Sequence, residues 1–228
     1  MKKAILALTA GVLLAIAALS TACAGPPEGS AEWYYQRAYV LAQQGQVQEA
    51  IATYSKAIEI EPAMAKLYVN RAALYANLKE YDLVVSDCTK AIEIDPKLTL
   101  AYINRAFAYN STGEYQKAID DCNSAIGTGQ NMAEAYVNRA YSYLQLQDYT
   151  HAVADCNEAI EINPKLPQAY YHKGFALEAL EKYDEAISSF ETFLTLSSDQ
   201  GLIISAQQEI DKINRIQSAP VPNTTASS

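Results

Sequence analysis

Histidine is scarce in this chain. Among 228 residues there are two, His151 and His172. They fall in different registers of the pattern described below, so they do not make a pair for proton transfer near neutral pH. No serine, cysteine or carboxylate stands at the spacing of a known triad or metal motif, and no glycine-rich phosphate loop is present. The chain is therefore not expected to be an enzyme, nor to hold a cofactor or a metal. Positive charge is also thin: 17 Lys and Arg stand against 26 Asp and Glu, a net charge of −9. A phosphate-binding surface needs clustered cations, so nucleic acid is not an expected partner. Tryptophan occurs once and phenylalanine four times, yet there are 17 tyrosines. Tyrosine offers large contact area with few rotatable bonds and a hydroxyl that tolerates water. Half of the chain is apolar, enough to bury a core.

The N-terminus reads as a targeting segment. Met1-Lys2-Lys3 is basic, residues 4–19 are uncharged and almost wholly apolar, and Ser20-Thr21-Ala22-Cys23 follows. Charged, apolar, then small is the order of a bacterial secretory signal. The small residues before Cys23 resemble a lipobox, which implies a signal peptide over 1–22 and a lipidated Cys23; Ser20 stands where that motif prefers leucine. An ordinary cleavage site before Gly25 and an uncleaved anchor remain open. Removing residues 1–22 takes away two lysines and no acid, which deepens the net charge by two. Residues 23–30 form a Gly- and Pro-bearing tether. Export and lipid anchoring on the extracytoplasmic side of a bacterial membrane are the expectation, with a secreted soluble protein as the alternative.

The rest of the chain is periodic. Tyr34, Tyr68, Tyr102, Tyr136 and Tyr170 are each 34 residues apart. At fixed offsets follow Ala38, Ala72, Ala106, Ala140 and Gly174; Leu41, Tyr75, Tyr109, Tyr143 and Leu177; Ala50, Val84, Ala118, Ala152 and Ala186; Tyr54, Cys88, Cys122, Cys156 and Phe190. Pro62, Pro96 and Pro164 close three of the five units. Within each unit apolar residues recur at i, i+3, i+4 and i+7 in two stretches, the mark of two amphipathic helices. Small residues recur where helices must approach closely, and proline ends the second helix. One such pair cannot bury its own apolar faces, and stacking does so.

A 34-residue period carrying W-x2-L-G-x2-Y, A-x3-F and P is the tetratricopeptide-repeat (TPR) signature. Residues 31–198 resemble that family in five units, 31–64, 65–98, 99–132, 133–166 and 167–198. The resemblance implies an all-α, right-handed α-solenoid of five helix pairs whose first helices line a concave face. Residues 199–217 follow with Ile203, Ala206, Ile210 and Ile213 in one stripe and polar residues opposite, a one-sided helix fit to cap the array. Phe193, large where the other units have alanine, is expected beneath it. Residues 218–228 are expected to be a disordered tail.

Cys88, Cys122 and Cys156 share one column. Stacked equivalent helices stand roughly 8–10 Å apart, too far for a disulfide and too divergent for zinc, so these thiols read as small buried apolar groups. Arg71, Arg105 and Arg139 fall in a column that pairs by spacing with Asp87, Asp121 and Asp155. Buried helix-to-helix ion pairs are expected there. The N-x-[ST] matches at Asn110 and Asn223 read as chance.

Asn70, Asn104 and Asn138 form a further row, with Gln36 before it and His172 after. The resemblance places this row on the concave face, where asparagines can hydrogen-bond the backbone of an extended peptide, as in the asparagine ladders of other TPR arrays. With the neighbouring aromatics, the expected peptide groove comprises Tyr35, Gln36, Tyr39, Asn70, Asn104, Phe107, Asn138, Tyr141, Tyr171 and His172. TPR proteins that clamp the acidic tails of Hsp70 and Hsp90 need lysines and an arginine at fixed groove positions. In the frame from the second repeat those positions hold Val69, Ala73, Asn104, Glu134 and Asn138, and the other frames likewise keep only the middle asparagine. Without the cations such tails are not expected to bind. The sequence thus points to a membrane-anchored TPR scaffold that binds a peptide segment of an envelope protein, similar to bacterial TPR lipoproteins that assemble envelope machines. The alternative is a structural subunit that uses its outer and end surfaces.

Overall fold

The computed structural model describes residues 25–129 and 132–218. The signal segment, Cys23 and the tail beyond Ser218 lie outside the described residues. Eleven helices make up the described chain: α1 (Ala31–Gln43), α2 (Val47–Ile60), α3 (Ala65–Asn77), α4 (Tyr81–Ile94), α5 (Thr99–Thr112), α6 (Tyr115–Gly127), α7 (Met132–Gln145), α8 (Tyr149–Ile162), α9 (Pro167–Ala179), α10 (Tyr183–Leu196) and α11 (Gln200–Ser218). Each pair α1–α2 to α9–α10 is one repeat, and each second helix packs against the first helix that follows.

The turn inside each repeat is set by a left-handed residue. Gly45, Lys79, Gly113, Gln147 and Glu181, again 34 apart, have φ of 76°, 61°, 83°, 61° and 59°. The next residue donates its N–H back to the closing turn of the first helix, as Gln46 to Leu41 (2.9 Å) and Glu114 to Tyr109 (2.8 Å). This satisfies carbonyls that the helix end leaves free. The turn between repeats is held by the periodic tyrosine: the hydroxyls of Tyr68, Tyr102 and Tyr170 donate to the carbonyls of Pro62, Pro96 and Pro164 at 3.0, 3.2 and 3.1 Å.

The expected ion pairs are present. Arg71 donates Nε and Nη2 to both oxygens of Asp87 at 2.8 and 2.7 Å, and Arg105–Asp121 and Arg139–Asp155 repeat this fork. The aspartates are buried, and each pair ties the first helix to the second within a repeat. The third arm of each arginine reaches the preceding repeat, from Arg71 Nη1 to Ser55 (2.8 Å), from Arg105 to Thr89 (2.9 Å), and from Arg139 to Asn123. Such planar, charge-assisted forks suit guanidinium better than any other side chain. Cys88, Cys122 and Cys156 are buried and free, and burial pushes each thiol up to about 12. They are packing groups, not nucleophiles.

The array is curved because its two layers differ. Successive first helices touch one another (α1–α3, α3–α5, α5–α7, α7–α9), while successive second helices make no comparable contact. First helices therefore line the inner, concave side. At the C-terminal end α11 buries Ala206, Ile210 and Ile213 against Leu177, Phe190 and Phe193, so Phe193 does pack beneath the cap. Ile216, beside the stripe, is 45% exposed.

Candidate functional site

The concave wall is built from one face of each first helix, so residues 34 apart stand in rows along it. Asn70, Asn104 and Asn138 are half-buried in such a row. Their side-chain amides make no hydrogen bond among the described residues. No buried side-chain polar atom there lacks a partner, so these amides reach solvent and can still bond a ligand.

Hollows cluster in the C-terminal half of this wall. Three hollows of about 300, 490 and 410 Å³ adjoin one another, and Tyr141 and His172 border all three. The first lies between α5, α7 and α9, with Phe107, Asn138 and Gln168 at its edge. The second runs under Tyr171, Phe175 and Leu144 to Glu178 and Lys212. The third follows Tyr171 to Phe193, Leu196 and Leu202. Volumes of this size, apolar walls and a few placed polar groups are the usual make-up of a ligand cleft. Five residues of the expected groove (Phe107, Asn138, Tyr141, Tyr171 and His172) thus line one continuous surface.

The remaining five are spread along the N-terminal half. Tyr35 is half-buried against Tyr54, ring centroids 6.1 Å apart, with the Lys66 ammonium 4.2 Å above its ring. Lys66 also pairs with Glu32 at 2.9 Å. Tyr39 is 51% exposed. Asn70 and Asn104 continue the row. Gln36 borders a separate hollow at the N-terminal end, with Trp33, Arg37 and Val40.

His172 is held between aromatic rings, 5.4 Å from Tyr141 and 6.0 Å from Tyr171. Burial pushes its imidazole down to about 4, so it is neutral at pH 7. Tyr171 in turn donates to Ser205 of α11 at 3.1 Å and packs on Phe175 and Phe193, which fixes the floor of the cleft. Lys212 of α11 is the cation bordering these hollows, and it is pinned between Glu178 (2.6 Å) and Glu209 (2.8 Å). Those two hydrogen bonds raise its pKa well above the usual lysine range. A lysine so neutralised is a poor anchor for an acidic tail.

Two contributors were not legible in the sequence pattern. Asn110 is buried, donates Nδ2 to the Asn138 carbonyl (2.9 Å) and accepts from the Ser142 hydroxyl (2.6 Å). It locks α5 to α7 at the point where Asn138 enters the groove. The signal was an amide in a column that holds Ala42, Ala76, Leu144 and Glu178 in the other repeats. The second is α11, whose Leu202 and Lys212 extend the groove past the last repeat.

Family models described as tetratricopeptide repeat match residues 65–98 and 133–166, and 88–120 and 156–188; one described as TPR repeat matches 38–79. The chain belongs to the tetratricopeptide-repeat family. Among curated proteins none matches it. Similar solved structures include MamA, at 22% identity over 84% of this chain and 98% of that one, TM-score 0.63. YrrB, a TPR protein with an unusual peptide-binding site, is 18% identical over 79% and 93%, TM-score 0.61. A tetratricopeptide repeat protein from Parabacteroides merdae is 19% identical over 81% and 72%, TM-score 0.68. At these identities the likeness is one of fold. Membership makes this TPR array a protein–protein interaction scaffold rather than an enzyme.

Proposed function

We propose that this TPR array is a membrane-anchored adaptor that holds a peptide segment of an envelope protein in its concave groove. The observation that carries the reading is the meeting of three hollows at Tyr141 and His172, beside an asparagine whose amide is still free to bond. The row of amides grips peptide backbone, and the aromatic floor between α7, α9 and α11 takes one or two apolar side chains. Binding of a peptide by the similar YrrB is in keeping with this use of the fold. The anchor is the acylated Cys23, which holds the body near an extracytoplasmic membrane surface.

Affinity capture from detergent-solubilised membranes tests the reading. The double variant Tyr141→Ala, His172→Ala is expected to lose the partner. The triple variant of Asn70, Asn104 and Asn138 to alanine is expected to bind about 100-fold more weakly, from three hydrogen bonds of about 1 kcal/mol each. Equal recovery by wild type and both variants would reject the groove. Metabolic labelling with a fatty acid, lost in Cys23→Ala, checks the anchor separately.

A further inference from the structure

Every first helix after α1 buries two columns under the second helix that precedes it. The column that starts at Trp33 continues with Leu67, Ala101, Ala135 and Ala169, all 0% exposed. The column that starts at Val40 continues with Leu74 (7%), Ala108, Ser142 and Ala176 (0% each), whereas Val40 itself is 52% exposed. With Trp33 and Arg37 it borders an open hollow of about 410 Å³. Trp33 is partly buried and Arg37 exposed, and among the described residues no second helix covers this face. The two ends of the array are thus unlike: α11 closes the C-terminal end and turns Gln207, Gln208 and Asp211 outward, while the N-terminal end keeps the chemistry of an internal joint.

That joint recurs four times in the array, so the shape of its missing half is known. The covering second helix presents an apolar residue, a hydroxyl or amide four residues on, and an apolar residue three further. The sets are Ile51–Ser55–Ile58, Val85–Thr89–Ile92, Ile119–Asn123–Ile126 and Val153–Asn157–Ile160. Ile51 and Ile58 pack in one cluster with Leu67 and Leu74. Ser55, Thr89 and Asn123 receive the third arm of the arginine that follows. Arg37 stands in that arginine column with neither its aspartate, replaced by Thr53, nor its acceptor. Among the described residues it makes no hydrogen bond or ion pair, and its guanidinium lies 5.3 Å from the Trp33 ring.

We propose that the N-terminal face is a docking site separate from the groove. It takes an amphipathic helix of a partner protein whose exposed stripe reads apolar, Ser/Thr/Asn four residues later, apolar three after that. The apolar pair covers Trp33 and Val40, and the small polar group accepts from Arg37. The site is continuous with the repeat-to-repeat interface, which is why its occupant is specified so closely. A second folded copy does not supply it: four such stripes are covered by the next repeat, and the fifth, Ile187–Glu191–Leu194, packs into the cluster that α11 closes.

Trp33 is the chain's single tryptophan, so its emission reports this face alone. The full chain is titrated with a peptide of sequence Val47–Ile60, in which Ala52→Glu closes a lactam to Lys56. Both positions are exposed in α2, so the bridge holds the helix without touching the stripe. A saturable blue shift is expected. Val40→Asp should abolish it and Arg37→Glu weaken it roughly tenfold, while the groove variant Tyr141→Ala, His172→Ala leaves it unchanged. A flat titration to millimolar peptide overturns the proposal, as does a shift lost in the groove variant and kept in Val40→Asp. Emission already blue and quencher-protected in the monomeric chain would give the face to the chain's own N-terminal residues. A dimer broken by Val40→Asp would give it to a second copy. Either result overturns the proposal.

Discussion

In repeats two to four, four side chains stand together: an arginine, a tyrosine, an aspartate and a cysteine, as in Arg105, Tyr109, Asp121 and Cys122. In repeats one and five the same columns hold Arg37 or Lys173, a leucine, Thr53 or Ser189, and Tyr54 or Phe190. The two sets exchange as units. Where the second helix carries a thiol, the first supplies a tyrosine, and in repeats two and three its ring lies about 6 Å from the guanidinium, Tyr75 from Arg71 at 5.8 Å and Tyr109 from Arg105 at 6.0 Å. Where it carries a buried aromatic, the ring fills that space, leucine suffices opposite, and the ion pair is absent. The hydroxyl that replaces aspartate turns back on its own helix: Thr53 donates to the Glu49 carbonyl (2.6 Å) and Ser189 to that of Glu185 (2.8 Å). The inner joints are thus specified by a directional polar fork and the outer repeats by ring volume. A fork demands one register, while apolar volume tolerates several.

The sharpest way to break this contrast is to remove one side of a fork. Asp121→Ala strands the half-buried Arg105 and is expected to cost about 3–5 kcal/mol. Ser189→Ala in the fifth repeat, which frees no charge, is expected to cost under about 1 kcal/mol. Urea melts of the two variants compare them directly. If Asp121→Ala also falls below about 1 kcal/mol, the fork is as weak as an exposed pair.

Acid should act on the fifth repeat first. The folded state holds His172 at about 4, below the ordinary histidine value near 6.5. Between these values the unfolded chain binds the proton more readily. The stability due to the neutral imidazole is complete above about pH 6.5 and is lost as pH falls through about 4, by no more than about 3 kcal/mol. Stability measured from pH 7 to pH 4 should fall less steeply in His172→Gln.

Volume can be tested at Gly174. A Cβ built there would stand 2.6 Å from the Phe190 ring, so Gly174→Ala is expected to cost about 1–3 kcal/mol. Restoring the inner set with Phe190→Cys in the same chain should relieve the clash, seen as a double variant less destabilised than the two single changes together predict. The smallest effect concerns the turns. Glu181 sits at φ 59° where the first and third repeats have glycine, so Glu181→Gly should gain up to about 1 kcal/mol. The same change at Gln147 should act alike, and a loss at either site would mean that the side chain there has a role beyond the turn.

Most of the fold was legible because a 34-residue period multiplies every signal fivefold. The forks were read from spacing alone, since Arg and Asp 16 residues apart recur three times. Phe193 was read as sitting under the cap because it breaks a column of alanines. Two of the features that escaped occur once. Asn110 has no counterpart in the other repeats, and its short motif suggested only a chance modification match. The depth of the groove between α7, α9 and α11 depends on how the cap closes over Tyr171, and no column records that. The left-handed turns were hidden because three of the five use Lys, Gln and Glu where the conformation favours glycine.

The third arm of each arginine makes the inner repeats interchangeable parts. Excising residues 90–123, which joins α4 to α6 at equivalent positions, would bring Arg139 beside Thr89, which already serves as a partner to Arg105. Splicing in an extra unit would equally present a hydroxyl or amide to the next guanidinium. The chain can be lengthened or shortened like a string of matched couplings, with its groove rescaled and its joints unchanged.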